Sequence, residues 1–176
     1  MAISLSLIIF KVIDSKKVLA IIPARGGSKR LPNKNLLFCG GQPLISWTIN
    51  AALKSKYIDS VIVSTDSSEI SAYSKSIGAR VPFLRNPKLA SDTSTTVDVA
   101  IDAINQLSSL GELFDIAIVL QPTSPFRSAS HINVCLEQMI NLGSCATISV
   151  CPCDHNPLWS NVISSDLSMS SFLRDD

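Results

Sequence analysis

The sequence predicts an α/β domain of three layers, a mainly parallel β-sheet with helices on both faces. Three observations carry the prediction. Apolar strand-like runs alternate with amphipathic helical patterns from Val18 onward. The first run, Val18-Leu19-Ala20-Ile21-Ile22, is continuously apolar, as expected of a strand covered on both faces. The connections between runs are short and rich in turn residues, which suits right-handed crossovers between parallel strands.

The elements follow in order. After the first strand, ended by Pro23, a polar loop extends to Asn35. Pro43 at a first-turn position opens a helix whose apolar side is Leu44, Ile45, Trp47, Thr48, Ala51 and Ala52, running to about Lys54. Ser60 to Thr65 is the second strand. Asp66-Ser67-Ser68-Glu69 has capping-box spacing with Asp66 as the cap, and Gly78 closes that helix. A short third strand is expected near Arg80 to Leu84. Val97, Ala100, Ile101, Ile104 and Leu107 then mark an amphipathic helix. Ile116 to Gln121 reads as a strand stopped by Pro122 and Pro125, since proline cannot join a central ladder. A helix near Ala129 to Leu142 stops at Gly143, and Cys145 to Val150 supplies a fifth strand. Beyond Pro152 the serine-rich tail has little periodicity and reads as weakly ordered.

Composition narrows the function classes. A chain of 176 residues, 46% hydrophobic and 16% charged, is long and apolar enough for one packed domain. A net charge of +1 argues against a nucleic-acid footprint, which needs a basic stripe beyond one loop. Cys39, Cys135, Cys145, Cys151 and Cys153 are odd in number and lack paired CxxC spacing, so they read as reduced thiols in a cytoplasmic protein. Cys151, Cys153 and His155 fall short of four zinc ligands at workable spacing, and no metal ligand is assigned. The apolar stretch Leu5 to Ile13 is too short to span a bilayer and lacks signal-peptide features, so no membrane partner is expected. Residues 1–16 are an N-terminal extension, either an extra edge strand or the product of a start codon upstream of the domain.

The loop Pro23-Ala24-Arg25-Gly26-Gly27-Ser28-Lys29-Arg30-Leu31-Pro32-Asn33-Lys34-Asn35 is where the chemistry concentrates. Adjacent glycines let backbone N–H groups approach an anion, and clustered Arg and Lys supply opposite charge. No acidic residue occurs between Asp14 and Asp59, so the balance in this stretch is strongly positive although the whole chain is near neutral. The loop lacks both GxxxxGK[ST] and GxGxxG spacing. In open α/β sheets ligands bind beyond the carboxyl ends of the strands, so Arg25, Lys34, Asp66, Arg85 and Gln121 are expected along one rim. Asp66 fits a helix cap better than a metal ligand. Gln121, an amide at a strand end, suits the reading of hydroxyl groups.

Three stretches in this order, Ile21 to Asn35, Arg85 with Leu89-Ala90-Ser91-Asp92-Thr93, and Leu120-Gln121-Pro122-Thr123-Ser124-Pro125-Phe126-Arg127, resemble the acylneuraminate cytidylyltransferases. These are the CMP-sialic acid synthetases and their pseudaminic and legionaminic acid relatives. The resemblance runs from about Lys17 to about Leu158. It implies a Rossmann-like, nucleotide-diphospho-sugar transferase-like fold over residues 17–176. It implies transfer of CMP from CTP to the anomeric hydroxyl of a nine-carbon 2-keto-3-deoxy sugar acid, with release of pyrophosphate. Carried over by position, Arg25, Ser28 and Lys34 would bind the triphosphate, Asn35, Arg85 and Thr96 would help recognise the cytidine part, and Gln121 would face the sugar acid. Arg25 and Lys34 suit the charge that grows in phosphoryl transfer and are the catalytic candidates, with Ala24, Gly26 and Gly27 as further substrate-binding positions. Thr96 stands where the family commonly has serine and keeps the hydroxyl.

The same resemblance implies Mg²⁺ held by an Asp-x-Asp pair and a homodimer. It also implies further chain beyond Asp176, so the sequence reads as C-terminally truncated. No Asp-x-Asp occurs, and Asp154, Asp166, Asp175 and Asp176 do not reproduce it. Two readings stay open: an enzyme of this family, and a non-catalytic CTP-binding remnant. A glycosyltransferase-like nucleotide-sugar domain is disfavoured for want of the same motif.

Overall fold

The computed structural model describes residues 13–28, 31–90, 94–154 and 165. In chain order the elements are β1 (Val18–Pro23), β2 (Phe38–Cys39), β3 (Gln42–Pro43), α1 (Leu44–Leu53), β4 (Ser60–Ser64), α2 (Ser68–Ser76), α3 (Thr96–Ser109), β5 (Ile116–Val119) and α4 (Ala129–Asn141), with single 3-10 turns at Lys34–Leu36 and Pro87–Ala90. The main sheet has the order β4-β1-β5, and both pairings are parallel. In register, Ile21 lies between Ile62 of β4 and Val119 of β5.

The continuous apolar run of β1 is explained by cover on both faces. Successive strand side chains point to opposite sides. Val18, Ala20 and Ile22 therefore join Ile45, Ile49 and Ala52 of α1, Ile70 of α2 and Ile132 and Leu136 of α4 in one core. Leu19 and Ile21 join Ile62 of β4 with Ala103 and Leu107 of α3 in a second. The predicted three layers are thus α1, α2 and α4 on one face, the sheet, and α3 on the other.

Four expectations need correction. The run Arg80 to Leu84 is no strand: Arg80 alone bridges Ile62, and Pro82, without an N–H, cannot extend the ladder. The run Cys145 to Val150 is exposed coil, with Ile148 82% and Val150 84% accessible, so among the described residues β5 is the sheet edge on that side. On α3, Ala100 and Leu107 of the expected apolar side pack toward the sheet together with Ala103, whereas Val97, Ile101 and Ile104 of that side are exposed and Val99 is buried against the rim. Asp66 does not cap α2; Ser67 does, its hydroxyl accepting from Ile70 N at 3.3 Å.

The helix ends otherwise follow the sequence chemistry. Pro43 is the N-cap of α1, one position earlier than expected. Gly78, just past α2, has φ +97, a conformation that favours glycine. Thr95 and Ser128 form reciprocal capping boxes with Asp98 and His131 at the starts of α3 and α4. Hydrogen bonds from Thr95, first from its side chain and then from its backbone, hold the Asp98 carboxyl below its usual value. Of the extension 1–16, expected as an edge strand or the product of an upstream start, residues 1–12 lie outside the described residues, and Ile13 and Lys16 form an antiparallel bridge; of the tail expected to be weakly ordered, all beyond Asp154 except Ser165 lies outside them as well.

Candidate active site

The three parallel strands end at one rim, and the basic loop leaves from its centre. Ala24, 1% accessible, donates its N–H to the Ser64 carbonyl at 2.9 Å, which carries the β1–β4 pairing one step past the strand. Gly26 then donates its N–H to Asp66 Oδ1 at 2.9 Å. A Cβ on Gly26 would lie 3.0 Å from Ser67 Cβ, so the missing side chain is what lets the loop approach the start of α2 this closely. Ser28 N donates back to the Gly26 carbonyl at 2.9 Å, making a tight turn. Gly27 is exposed, with nothing within 4 Å of a would-be Cβ.

The loop returns through the 3-10 turn at Lys34–Leu36, entered from Asn33 in the left-handed region at φ 52. Asn35 is buried, and its Nδ2 donates to the Arg25 carbonyl at 3.1 Å, tying the two ends of the loop together. Arg25 crosses the rim, with Nη1 donating to the Ala90 carbonyl at 3.4 Å.

Arg25, Ser28, Lys34, Asn35, Arg85, Thr96 and Gln121 line a single open cleft of about 300 Å³. That volume is at the low end of small-molecule sites. Seven of the ten candidate positions therefore meet although they span the sequence from 25 to 121. Ala24, Gly26 and Gly27 do not line it; the first two support the loop from beneath.

Arg85 is buried at the back of the cleft, where its Nε donates to Ser64 Oγ at 3.1 Å and its Nη2 to the Ser64 carbonyl. Burial lowers its pKa from the usual value; the Asp66 and Asp102 carboxylates oppose this and Arg25 adds to it. Thr96 is the first residue of α3, so the positive end of that helix dipole faces the cleft. The Gln121 carbonyl accepts from Thr48 Oγ1 at 3.4 Å and Arg127 Nη1 at 3.1 Å, which fixes the backbone where the chain turns into Pro122. Burial also lowers the pKa of Arg127.

The cleft includes residues that the sequence pattern alone did not single out: Ser94, Thr95 and Thr123. Thr95 was legible as a cap, since Thr95-x-x-Asp98 is a capping-box pattern immediately before the Val99 stripe. Thr123 lies within the Gln121-Pro122-Thr123 motif itself.

Among the described residues, the cleft lining contains no carboxylate, and no cluster of three or more His, Cys, Asp or Glu residues could hold a metal. Mg²⁺ requires hard oxygen ligands in octahedral array. The cationic and amide groups gathered here do not fit that ion. All five cysteines are free thiols. No helix among the described residues is long and apolar enough to cross a membrane.

Comparison with known proteins places the chain in a family. The cytidylyltransferase family profile matches residues 19–155. The CMP-N,N'-diacetyllegionaminic acid synthase of Legionella pneumophila is 42% identical over 149 residues, 85% of this chain and 64% of that protein. The pseudaminic acid cytidylyltransferase of Campylobacter jejuni is 39% identical over 124 residues, 70% of this chain and 53% of its own. The N-acylneuraminate cytidylyltransferase of Oncorhynchus mykiss is 36% identical over 137 residues, 78% and 31% of the two chains. The chain thus spans less than two thirds of the length of these relatives. Among solved structures, a CMP:2-keto-3-deoxy-manno-octonic acid synthetase complexed with CTP superposes with a TM-score of 0.62 at 26% identity, over 72% of this chain and 48% of the other. With a three-layer parallel fold, a cationic cleft at the strand ends and the family profile matched over most of its length, this chain belongs to the cytidylyltransferase family.

Proposed function

We propose that the cleft binds CTP and serves transfer of CMP to the anomeric hydroxyl of a nine-carbon 2-keto-3-deoxy sugar acid, an N-acylneuraminate or a legionaminic or pseudaminic acid relative, with pyrophosphate released. The observation that carries the reading is the meeting of Arg25, Ser28, Lys34 and Arg85 with Thr96 and Gln121 in one cleft at the carboxyl ends of β1, β4 and β5. The names of the relatives supply the class of acceptor.

The chemistry asked of such a site is positioning and charge. The anomeric hydroxyl gives up its proton to water as its oxygen bonds to the α-phosphorus, the bond from that phosphorus to the bridging oxygen of the departing pyrophosphate breaks, and negative charge grows on the α-phosphoryl oxygens and the leaving pyrophosphate. In this proposal Arg25 and Lys34 stand where that charge develops. Ser28 binds the phosphates from the turn, Asn35, Arg85 and Thr96 form the cytidine side, and Gln121 addresses the hydroxyls of the acid. Residues 17–176 constitute the nucleotidyltransferase part, preceded by the extension 1–16. A cytoplasmic setting and a homodimer belong to the same proposal.

A second reading, a CTP-binding domain without turnover, is favoured by one observation: the described lining has no carboxylate to hold the metal that polyphosphate chemistry generally uses. Incubating the chain with CTP, Mg²⁺ and N-acetylneuraminic acid or a relative and measuring pyrophosphate decides between them. Acid-dependent pyrophosphate release is the expected result. CTP binding without release selects the second reading, and absence of CTP binding overturns both.

A further inference from the structure

We infer that Asp66 is a positioning residue for nucleotide binding: its carboxylate holds the Gly26 amide and so aims the turn from Arg25 to Ser28 at the triphosphate. This rests on the nucleotide reading above.

The geometry has three parts. Asp66 Oδ1 accepts from Gly26 N at 2.9 Å between residues forty positions apart. On the same side, Ser67 Cβ lies 3.0 Å from where a Gly26 Cβ would sit, so the loop is drawn in by the carboxylate and stopped by the serine. The flanks are fixed independently by Ala24 N on the Ser64 carbonyl and Asn35 Nδ2 on the Arg25 carbonyl, while Ser28 N closes the turn on the Gly26 carbonyl itself. Gly26 is thereby a point at which a side chain attaches the loop to the segment after β4.

Neither a helix cap nor a metal ligand accounts for Asp66. Its spacing suggested a cap, but Ser67 fills that role for α2. A metal ligand would need companions, and the described residues offer no cluster of such groups around it. What remains is a carboxylate beside a cleft lined by Arg25, Lys34 and Arg85, where a negative charge opposes a bound polyanion. Fixing the Gly26 amide accounts for its presence there. The Asp66 charge also acts favourably on the buried Arg85 guanidinium.

The test is equilibrium binding of CTP and of cytidine to the full chain, in wild type, Asp66→Ala and Asp66→Asn, with thermal melts and hydrogen exchange at the Gly26 amide. Asn keeps an acceptor in place of the carboxylate oxygen, whereas Ala removes it. Asp66→Ala should weaken CTP binding about tenfold or more, as expected when the Gly26 amide loses its acceptor and the turn is no longer held, and Asp66→Asn, which keeps a neutral acceptor, should stay within about threefold of wild type. Cytidine, which lacks the phosphates, should bind all three alike, and Gly26 exchange should accelerate in the Ala variant only. A general loss of structure would instead weaken CTP and cytidine together, and that result overturns the assignment, as does wild-type CTP affinity in Asp66→Ala. If Asp66→Ala does not fold, Asp66→Asn carries the test: a folded Asn variant that loses CTP about tenfold or more overturns the role of the acceptor. A wild-type chain that binds no CTP overturns the nucleotide reading itself together with this inference, whereas CTP binding indifferent to residue 66 overturns this inference alone.

Discussion

Arg85 grips Ser64 twice: its Nε donates to the Ser64 hydroxyl at 3.1 Å and its Nη2 donates to the Ser64 carbonyl, with both residues buried. The same carbonyl accepts the Ala24 N–H. The last residue of β4 therefore links the start of the basic loop to the segment after α2. Arg85→Ala leaves buried acceptors with fewer donors and is expected to cost about 1–3 kcal/mol of folding stability. Urea unfolding checks this. A midpoint equal to wild type would reduce Arg85 to a lining residue.

Gly26 and Ser67 should behave as a coupled pair. Gly26→Ala puts a Cβ 3.0 Å from Ser67 Cβ, a contact that something must relieve. Overpacking of this kind costs about 1–2 kcal/mol. Ser67→Gly makes room at the cost of the α2 cap hydroxyl, a loss of only a few tenths of a kcal/mol when glycine is the replacement. In a double-mutant cycle read by denaturant unfolding, the double variant should recover most of the Gly26→Ala loss; strict additivity would show that the loop yields elsewhere.

Lys34 sits half-exposed in the cleft on a single 3-10 turn, with no core packing of its own. Lys34→Ala is expected to reduce turnover about 10²–10³-fold if it stabilises developing phosphate charge. Stability should change by less than about 0.5 kcal/mol, as for surface substitutions away from packed features. Pyrophosphate release and a thermal melt, measured on one preparation, separate the two effects.

Acid stability should depend on the pair joining Arg80 to Glu112. The guanidinium donates to both carboxylate oxygens, Nη1 to Oε2 at 2.7 Å and Nη2 to Oε1 at 2.6 Å. These hydrogen bonds hold the Glu112 carboxyl below its ordinary value of 4.5, against a smaller effect of desolvation. Hydrogen bonds from Tyr57 and then Lys56 do the same for Glu137. A lowered folded value means that the stabilisation is present above the unfolded value and lost as pH falls through the folded one. Melting temperature should therefore drop as pH falls from about 5 to 3, and Glu112→Gln should be less stable at neutral pH with a shallower acid-side drop. Identical acid profiles for the two proteins would leave the pair without a role in stability. The exposed position of the pair keeps the expected change modest.

Local patterns were legible where one physical cause dominated. Val18 to Ile22 had to be a strand buried on both faces, because five consecutive apolar residues bounded by proline have no solvent side. The basic loop, Gly78 beyond α2, and the gathering of Arg85 and Gln121 toward that loop also followed from sequence, the last through the rule that parallel strands bring their carboxyl ends together. Propensity misled where a partner was needed. Cys145 to Val150 has strand-like composition, but a strand exists only when an edge pairs with it, and Arg80 to Leu84 loses its ladder at Pro82. On α3 two apolar stripes run side by side, and composition alone does not choose between them.

The sequence by itself determined the alternation of elements, the central strand and the positive charge of the loop, since each depends on residues close together in the chain, and the family resemblance, which needs only the order of three local motifs. Tertiary structure decided which stripe of α3 meets the sheet, that Ser67 rather than Asp66 caps α2, and that Asp66 instead accepts the Gly26 amide across forty residues. Those outcomes depend on which surfaces and polar groups meet after the chain folds back on itself. A carboxylate that could satisfy a helix end instead accepts a loop amide at 2.9 Å, an approach that is sterically open because residue 26 has no Cβ to meet Ser67.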